Sequence, residues 1–408
     1  MLNVIWISFF LISFISACFQ AFFAGNPLIW TEIVNTLFSS AKSAFTIAIN
    51  LTGMLCLWLG LLKIAEKSGL TDLLARGLMP LFKKIMPEIP EHHPSVGSIV
   101  MNIAANMLGL DNAATPMGLK AMEQMQQLNP HKDTASNAEI MFMVINASAV
   151  TVIPINILIY RAELGSVNPC AVFIPILIAT AASSLAGFLA VALVQKLPIF
   201  NRVVLAYLLG FALFIGATAY YFSTLDDAAR LTYSESTGNF ILFFMIALFI
   251  TFGAVKRINA YETFILGAKE GFEIAVKIIP YLVAMLTAIA VLRASGVMDA
   301  LVSGIGYLVN SAGIDTGFVP ALPTALIKPL SGSGARAMMI ETLTTYGADS
   351  FAGFVSSVIQ GSTETTFYVL AVYFGAIRVS KTRHALPCAL FADFVGIVTA
   401  IYVSYLFF

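Results

Sequence analysis

The stretch at 41–77, AKSAFTIAINLTGMLCLWLGLLKIAEKSGLTDLLARG, recurs at 268–304 as AKEGFEIAVKIIPYLVAMLTAIAVLRASGVMDALVSG. The two copies lie 227 positions apart and share 12 identities over 37 ungapped positions. A chain this apolar would give about three or four identities by chance. Repeated halves whose hydrophobic segments are interrupted at matching places are typical of secondary transporters. The repeat therefore predicts two related halves with a binding site formed between them.

The composition is that of a membrane protein. Of the 408 residues, 59% are hydrophobic and only 11% are charged, whereas soluble domains average about 25% charged residues. The net charge is zero, which gives no support for nucleic-acid binding. The four cysteines and four histidines are scattered without metal-ligand spacing. We therefore expect no disulfide framework, no metal and no cofactor.

Nine apolar runs reach the length of about 20 residues that crosses the hydrocarbon core. They lie near 2–24, 44–64, 138–160, 171–195, 203–222, 238–255, 272–292, 353–377 and 385–408. Two further stretches, 95–128 and 317–346, are broken by Pro, Gly and polar residues. A turn at membrane depth is tolerated only when it is buried in protein or lines a cavity. We therefore predict that both stretches are re-entrant hairpins.

The connections between the predicted spans alternate between basic and acidic or uncharged. Lysine and arginine cluster near 196–202, 256–269 and 378–383, whereas 223–237 and 25–43 carry few of them. By the positive-inside rule, this pattern predicts that the N-terminus lies inside and the C-terminus outside. We expect the membrane to be the bacterial cytoplasmic (inner) membrane.

The helix predicted at 203–222 has no counterpart in the other half. Its extra crossing would invert the second half relative to the first. The predicted fold is thus an all-α polytopic membrane protein with two inverted-topology repeats and about nine full spans. The repeats cover 1–196 and 238–408, and 197–237 is the linker that contains the inverting helix.

The first interrupted stretch concentrates polar side chains. Asn102 and Asn106 are four residues apart and would share one helix face, where their amides could both donate to and accept from a solute. Asn112 or Thr115 could cap the following helix, whose free N–H groups favour an anionic group. We predict substrate contacts from these four residues and from Asp111. The alternative is that the amides only fix helix packing.

The second interrupted stretch has a similar shape and different chemistry. Ser331 and Ser333 alternate with glycines at a predicted helix start, which could form an anion nest. Arg336 could bind a carboxylate or phosphate through its planar guanidinium. Alternatively, Arg336 pairs with Glu341 or extends toward the membrane interface.

One amide and two hydroxyl side chains of the span at 138–160 have counterparts of the same kind 214 positions later. The pairs are Asn146 and Gln360, Ser148 and Ser362, and Thr151 and Thr365. We predict that these six residues also contact the substrate.

A carboxylate, Glu364, stands where the first copy of this motif has Val150. An unpaired charge at this depth is costly, so Glu364 should face the bundle interior and meet a proton, a cation or Arg336. Asp393 is a second acid within a predicted span. We predict that both acids couple ion movement to transport. The alternative for Glu364 is a structural ion pair.

Several strings carry a family resemblance. The first half, through LWLGLLKIAE (57–66), PEIP (87–90) and ANMLGLDNAATP (105–116), resembles spore maturation protein A. The second half, through PLSGSGAR (329–336), TYGADSF (345–351) and IQGSTETTFY (359–368), resembles spore maturation protein B. Both belong to the nucleoside-recognition, or Gate, domains. The resemblance implies a natural fusion with a membrane transport fold, and it names no solute.

Two functions remain open at this stage. The sequence favours a transporter that moves a small polar solute through the lipid bilayer by alternating access, with coupling to H⁺ or Na⁺ undecided. The rival is a non-transporting scaffold or regulator of spore-type envelope maturation. A scaffold predicts polar clusters closed by internal hydrogen bonds, and a transporter predicts a continuous polar cavity. The absence of a nucleotide-binding or catalytic motif argues against an enzyme, and homo-oligomer formation is left open.

Overall fold

The fold is built from helices of very different length. The computed structural model describes residues 2–90, 92–107, 111–148, 151–152, 154–197 and 201–408, apart from the side chains at 2, 111–113, 211, 219, 223, 227–228 and 230–231. In chain order, the helices are α1 (Leu2–Phe22), α2 (Ile29–Lys67), α3 (Leu70–Ile85), α4 (Pro94–Met107), α5 (Asp111–Leu128), α6 (Asn137–Ser148), α7 (Ile155–Glu163), α8 (Phe173–Gln195), α9 (Arg202–Ser223), α10 (Asp227–Val255), α11 (Ala260–Ala294), α12 (Val297–Ser311), α13 (Leu322–Ile327), α14 (Gly332–Tyr346), α15 (Phe351–Ser362), α16 (Thr366–Ala376) and α17 (Ala385–Phe407).

Seven of these helices, within the described ranges, are long and apolar enough to cross a membrane: α1, α2, α8, α9, α10, α11 and α17. They confirm the prediction of an all-α polytopic membrane protein. They also coincide with seven of the predicted spans. The helices α2 and α11 are 39 and 35 residues long, well beyond the length of about 20 residues that a perpendicular span needs.

The other two predicted spans, 138–160 and 353–377, are wrong as continuous helices. The first is divided into α6 and α7, and the second into α15 and α16. Pro154 precedes α7, and a proline lacks the N–H that a continuing helix would use. At the second break Thr363 and Thr365 are extended, a conformation that β-branched residues favour. We refer to the described residues between α6 and α7 (151–152 and 154) as the first break, and to residues 363–365 as the second break.

The two copies of the Ser-Gly pair form the same local turn. The Ser68 hydroxyl donates to the carbonyl of Ala65 at 3.0 Å, and the Ser295 hydroxyl donates to that of Leu292 at 2.9 Å. The following glycines have φ values of 78° at Gly69 and 72° at Gly296. Residues with a Cβ rarely adopt this left-handed backbone conformation. The turn ends a long helix and starts a short one, α3 or α12, in each half.

Corresponding helices of the two halves pack side by side and run antiparallel. Gly267 of α11 lies against Leu59 of α2. Gly271, one turn later on α11, lies against Leu55, one turn earlier on α2, so the two helices run in opposite directions. The same holds for α8 and α17. Gly187 contacts Ala392, and the amide of Gln195 lies 3.1 Å from the imidazole Nε2 of His384.

The loops at one end of the bundle join in a short parallel bridge. The Ala135 N–H donates to the Lys381 carbonyl, and the Ser380 N–H donates to the Asp133 carbonyl, both at 3.0 Å. The side chains of Asp133 and Lys381 form an exposed ion pair at 2.8 Å. The hydrogen bond from Lys381 lowers the pKa of the Asp133 carboxyl.

At the opposite end, a buried arginine joins the two halves. Arg161 of α7 is 1% exposed. Its guanidinium donates to the Ala348 carbonyl at 2.8 Å and the Ser357 hydroxyl at 3.3 Å, and it forms an ion pair with Asp349 at 3.0 Å. These contacts fix α7 against the loop that precedes α15 and against α15 itself.

The close approach of α2 and α11 is testable at Gly271. A Cβ at this position would lie 2.7 Å from the Leu55 carbonyl oxygen and 2.8 Å from the Cα of Cys56. We expect Gly271→Ala to destabilise the protein by about 1–3 kcal/mol, because backbone atoms must move apart. Thermal unfolding of the purified protein in detergent measures this.

Gly53→Ala is the matched control, because a Cβ at Gly53 of α2 would have no atom within 4 Å. The thermal unfolding midpoint of this variant should be unchanged or higher, because alanine favours the helical conformation more than glycine does. Equal losses in the two variants would contradict the packing described here.

Candidate functional site

Backbone hydrogen bonds connect both breaks to their neighbours. The Val152 N–H donates to the Met107 carbonyl at the end of α4, at 3.1 Å. In the second break the Glu364 N–H donates to the Ala147 carbonyl of α6 at 2.9 Å. Just beyond it, the Phe367 N–H donates to the Pro329 carbonyl between α13 and α14 at 3.0 Å. Several backbone groups freed by the interruptions are therefore satisfied by other parts of the protein.

A cavity of about 410 Å³ lies at the breaks, within the usual range of about 300–1,000 Å³ for small-molecule sites. Its wall comes from both halves of the chain. The polar and charged lining residues are Asn106, Thr151, Asn156, Lys277, Lys328, Arg336, Gln360, Thr363 and Glu364. The larger apolar and aromatic ones include Leu51, Leu55, Trp58, Ile274, Tyr160 and Met339.

Five of the predicted site residues meet in this cavity: Asn106, Thr151, Arg336, Gln360 and Glu364. Glu364 is exposed although it lies at the centre of the broken helix. The side-chain oxygen of Gln360 is buried and has no hydrogen-bond partner among the described residues. These two groups provide a charge and an acceptor that a solute could use.

Arg336 lies on the same wall and faces an aromatic ring. Its guanidinium carbon is 5.9 Å from the centroid of Tyr160, within cation–π range. Glu341, the alternative partner predicted for Arg336, forms an ion pair with Arg293 of α11.

Amides of the first half form a buried chain that begins at the cavity wall. Asn106 donates to the Asn146 side-chain oxygen at 2.9 Å, and the Tyr373 hydroxyl donates to the same oxygen at 3.2 Å. Asn102 donates to the Tyr373 oxygen at 3.2 Å and to the Ala114 carbonyl at 2.7 Å. Asn102 and Asn146 therefore hold α4, α5, α6 and α16 together, and Asn106 is the member that lines the cavity.

Two predicted hydroxyls bond to their own helices. Ser148 donates to the Ile145 carbonyl at 3.2 Å, and Ser362 donates to the Ile359 carbonyl at 2.8 Å. Both are fully buried at the ends of α6 and α15.

The remaining substrate predictions are scattered. Ser331 caps α14 by accepting from the Gly334 N–H at 3.0 Å, and Ser333 lines a separate depression beside Trp6. Thr365 is buried against Gly332, and Thr115 is half-buried in α5. The side chains of Asp111 and Asn112 lie outside the described residues.

Asp393 of α17 is 2% exposed and lies behind the second break, next to Thr363 and Thr366. Thr363 lines the cavity and separates Asp393 from it. The predicted second acid is thus close to the cavity without lining it.

The cavity also contains residues that the sequence reasoning did not select. Lys277 is exposed in the middle of α11, and Lys328 and Asn156 line the same space. Lys277 interrupts an apolar run, and an ionisable residue inside a span is a signal that could have identified it. Trp58 also lines the cavity.

Comparison with known proteins relates this site to a family. The family model of the Gate domain, described as nucleoside recognition, matches residues 48–167 and 275–379, more than half of the chain. The chain belongs to the Gate family. Spore maturation protein A of Bacillus subtilis (strain 168) is 39% identical over 189 residues, which cover 46% of this chain and 93% of that protein. Spore maturation protein B of the same strain is 45% identical over 164 residues, which cover 40% and 90% respectively. No solved structure matches the chain.

The two Gate regions coincide with the elements that form the site. The first Gate region includes α4 to α7, and the second includes α13 to α16. Each region therefore contains one broken helix and the pair of helices before it. Each spore maturation relative matches about half of the chain, which is consistent with a fusion of an A-like and a B-like Gate protein.

The amide chain predicts a stability effect at Tyr373. Removing its hydroxyl in Tyr373→Phe would leave the buried Asn102 and Asn146 with one partner fewer each. We expect a loss of about 1–3 kcal/mol, the usual range for unsatisfied buried polar groups. Chemical or thermal unfolding in detergent measures this loss.

Tyr368→Phe, in the same helix at a residue that is 59% exposed, should have little effect. If the two variants were equally stable, the amide chain would not contribute to stability.

Proposed function

We propose that this Gate-family protein transports a small polar solute across the bacterial inner membrane by alternating access, with its N-terminus inside and no enzymatic activity. The observation that carries the proposal is the cavity at the junction of two broken helices. Exposed charges at Lys277 and Glu364 occur there within otherwise apolar segments. Broken helices whose ends line a cavity near the middle of the bundle are typical of transporter binding sites.

The arrangement of the halves supports an inverted repeat. Each half consists of a long helix, a Ser-Gly turn, a short helix, a pair of helices, a broken helix and a final span. The long helices α2 and α11 run antiparallel, and so do the final spans α8 and α17. Inverted repeats of this kind allow one bundle to rock against the other around a central site.

The lining suggests the class of solute. Three amides, at Asn106, Asn156 and Gln360, can donate and accept hydrogen bonds, and charged groups of both signs are present. Trp58 and Tyr160 add aromatic surface. This combination suits a polar or zwitterionic solute that also carries an apolar or aromatic part.

The scaffold alternative accounts for only part of the site. Asn102, Asn146 and Tyr373 are closed off by internal hydrogen bonds, as a scaffold predicts. Gln360 and Glu364 face a cavity, for which a scaffold has no need. The balance of these observations supports transport.

The proposal can be tested by screening for ligands. The purified protein would be heated with nucleosides, amino acids, dicarboxylates and peptidoglycan precursors, each with and without Na⁺. A solute that binds the native state raises the unfolding midpoint in a concentration-dependent way. Uptake of any such solute into proteoliposomes would then test transport itself. A folded protein that binds a solute without moving it would contradict the proposal.

We expect Glu364→Gln to abolish solute uptake driven by an ion gradient while the protein still folds, because the variant removes the exposed charge at the second break. Uptake under an imposed gradient and the thermal midpoint are the two measurements.

Glu270→Gln is the control, since Glu270 forms an ion pair with Lys63 at 3.0 Å and does not line the cavity. Its uptake should be close to that of the unmodified protein. Normal gradient-driven uptake by Glu364→Gln would remove the coupling role of Glu364.

A further inference from the structure

Four buried oxygen atoms at the second break make no hydrogen bond of good geometry with the described residues. They are both carboxylate oxygens of Asp393 and the hydroxyls of Thr363 and Thr366. The three residues are 2%, 3% and 0% exposed. Such a cluster is unusual, because buried polar atoms in folded proteins are almost always paired. The two hydroxyls lie within looser hydrogen-bonding range of the carboxylate. When each hydroxyl donates to the carboxylate, lone pairs on all three side chains can still bind one further species.

At the first break, a hydroxyl of the neighbouring span bonds to the interrupted backbone. There Thr180 of α8, the helix that pairs with α17, accepts a hydrogen bond from the Thr151 N–H at 3.4 Å. The second half has a carboxylate beside its break instead. Within the described residues, the second half therefore differs from the first by the Asp393 carboxylate and its poorly bonded oxygens, in addition to Glu364 in place of Val150.

The kind of species follows from the atoms that would hold it. A proton on Asp393 uses a lone pair of only one oxygen, whereas a small hard cation accepts lone pairs from several oxygens at once. The helix α15 ends at Ser362, so its last carbonyls carry the negative end of the helix dipole toward the break. Unwound backbone and helix C-termini of this kind coordinate Na⁺ in transporters built from broken helices.

The charge of the surroundings favours a monovalent ion. Asp393 is the acid of the cluster, and Glu364 is the other acid within electrostatic range. Lys328, which is 3% exposed, also lies within range of Asp393. The two carboxylates and the lysine together leave a net charge of −1, which a monovalent cation balances and a divalent cation does not.

We propose that Asp393, Thr363 and Thr366 bind Na⁺ behind the wall of the central cavity. Thr363 belongs both to this cluster and to the cavity lining. Ion occupancy and solute occupancy would therefore act on the same three-residue break. The inference rests on the proposed function for its coupling role, and it adds the identity of the ion.

Binding can be tested without a known solute. The unfolding midpoint of the purified protein would be measured against NaCl, with choline chloride or KCl replacing NaCl at constant ionic strength. We expect a saturable rise with Na⁺ alone. The rise should be lost in Asp393→Asn and in Thr366→Val, and it should be retained in Thr363→Ser, which keeps the hydroxyl.

Thr342→Val is the matched control, because Thr342 is equally buried and its hydroxyl already donates to the Met338 carbonyl at 2.9 Å. It should keep the full Na⁺ response. If Asp393→Asn fails to fold, Thr366→Val and Thr363→Val still test the site. Equal responses to Na⁺, K⁺ and choline would overturn the proposal. The proposal would also be overturned if lowering the pH, without Na⁺, raised the unfolding midpoint and Asp393→Asn removed that rise, because this result would identify a proton site.

Failure of this inference differs from failure of the proposed function. Solute uptake that needs no Na⁺, in a protein that shows no Na⁺-specific stabilisation, leaves transport intact and removes the sodium site. A Na⁺-specific stabilisation that depends on Asp393, in a protein that moves no solute, leaves the site intact and removes transport.

Discussion

The constraint on which this structure depends is the need to satisfy backbone polar groups where helices are interrupted inside an apolar bundle. A break at this depth exposes N–H and carbonyl groups that lipid cannot bond. The two breaks meet this need through each other and through the neighbouring helix pairs, as in the bond from Glu364 to Ala147 and that from Val152 to Met107. These bonds bring segments from both halves to one place. The cavity lies where those segments meet.

The polar side chains around the breaks divide into two groups with different consequences. Asn102, Asn146 and Tyr373 are closed into a chain of hydrogen bonds that holds four helices together. Gln360, Glu364 and Lys277 line the cavity. The second group is costly to keep in an apolar bundle unless it interacts with water, an ion or a solute. The proposed transport role requires the second group, whereas a rigid scaffold requires only the first.

Much of the fold could be predicted because it depends on local sequence. Seven spans follow from apolar runs of sufficient length, and the Ser-Gly turns follow from a repeated pair whose glycines need a positive φ. The breaks were harder to find, because apolar residues on both sides keep 138–160 and 353–377 as hydrophobic as continuous spans. Pro154 and the run Thr363, Glu364 and Thr365 were the local signals.

The site was predictable in part for the same reason. Glu364 and Arg336 are conspicuous in sequence, since each places a charge in an apolar region. Two features depend on how distant helices pack, which periodicity within one helix does not specify. Asn106 lines the cavity whereas Asn102 does not, and Asp393 lies behind Thr363.

A polar cavity lies where the broken helices meet, and we expect it to be accessible to water. Thiol labelling tests it most directly, in a variant whose four native cysteines are replaced by alanine. Asn156→Cys lines the cavity and is exposed, whereas Ser148→Cys in the adjoining half-helix is fully buried. We predict that a membrane-impermeant thiol reagent labels the folded Asn156→Cys protein in membranes, and that Ser148→Cys reacts only after denaturation. An Asn156→Cys protein that stays unlabelled until it is unfolded would contradict the account.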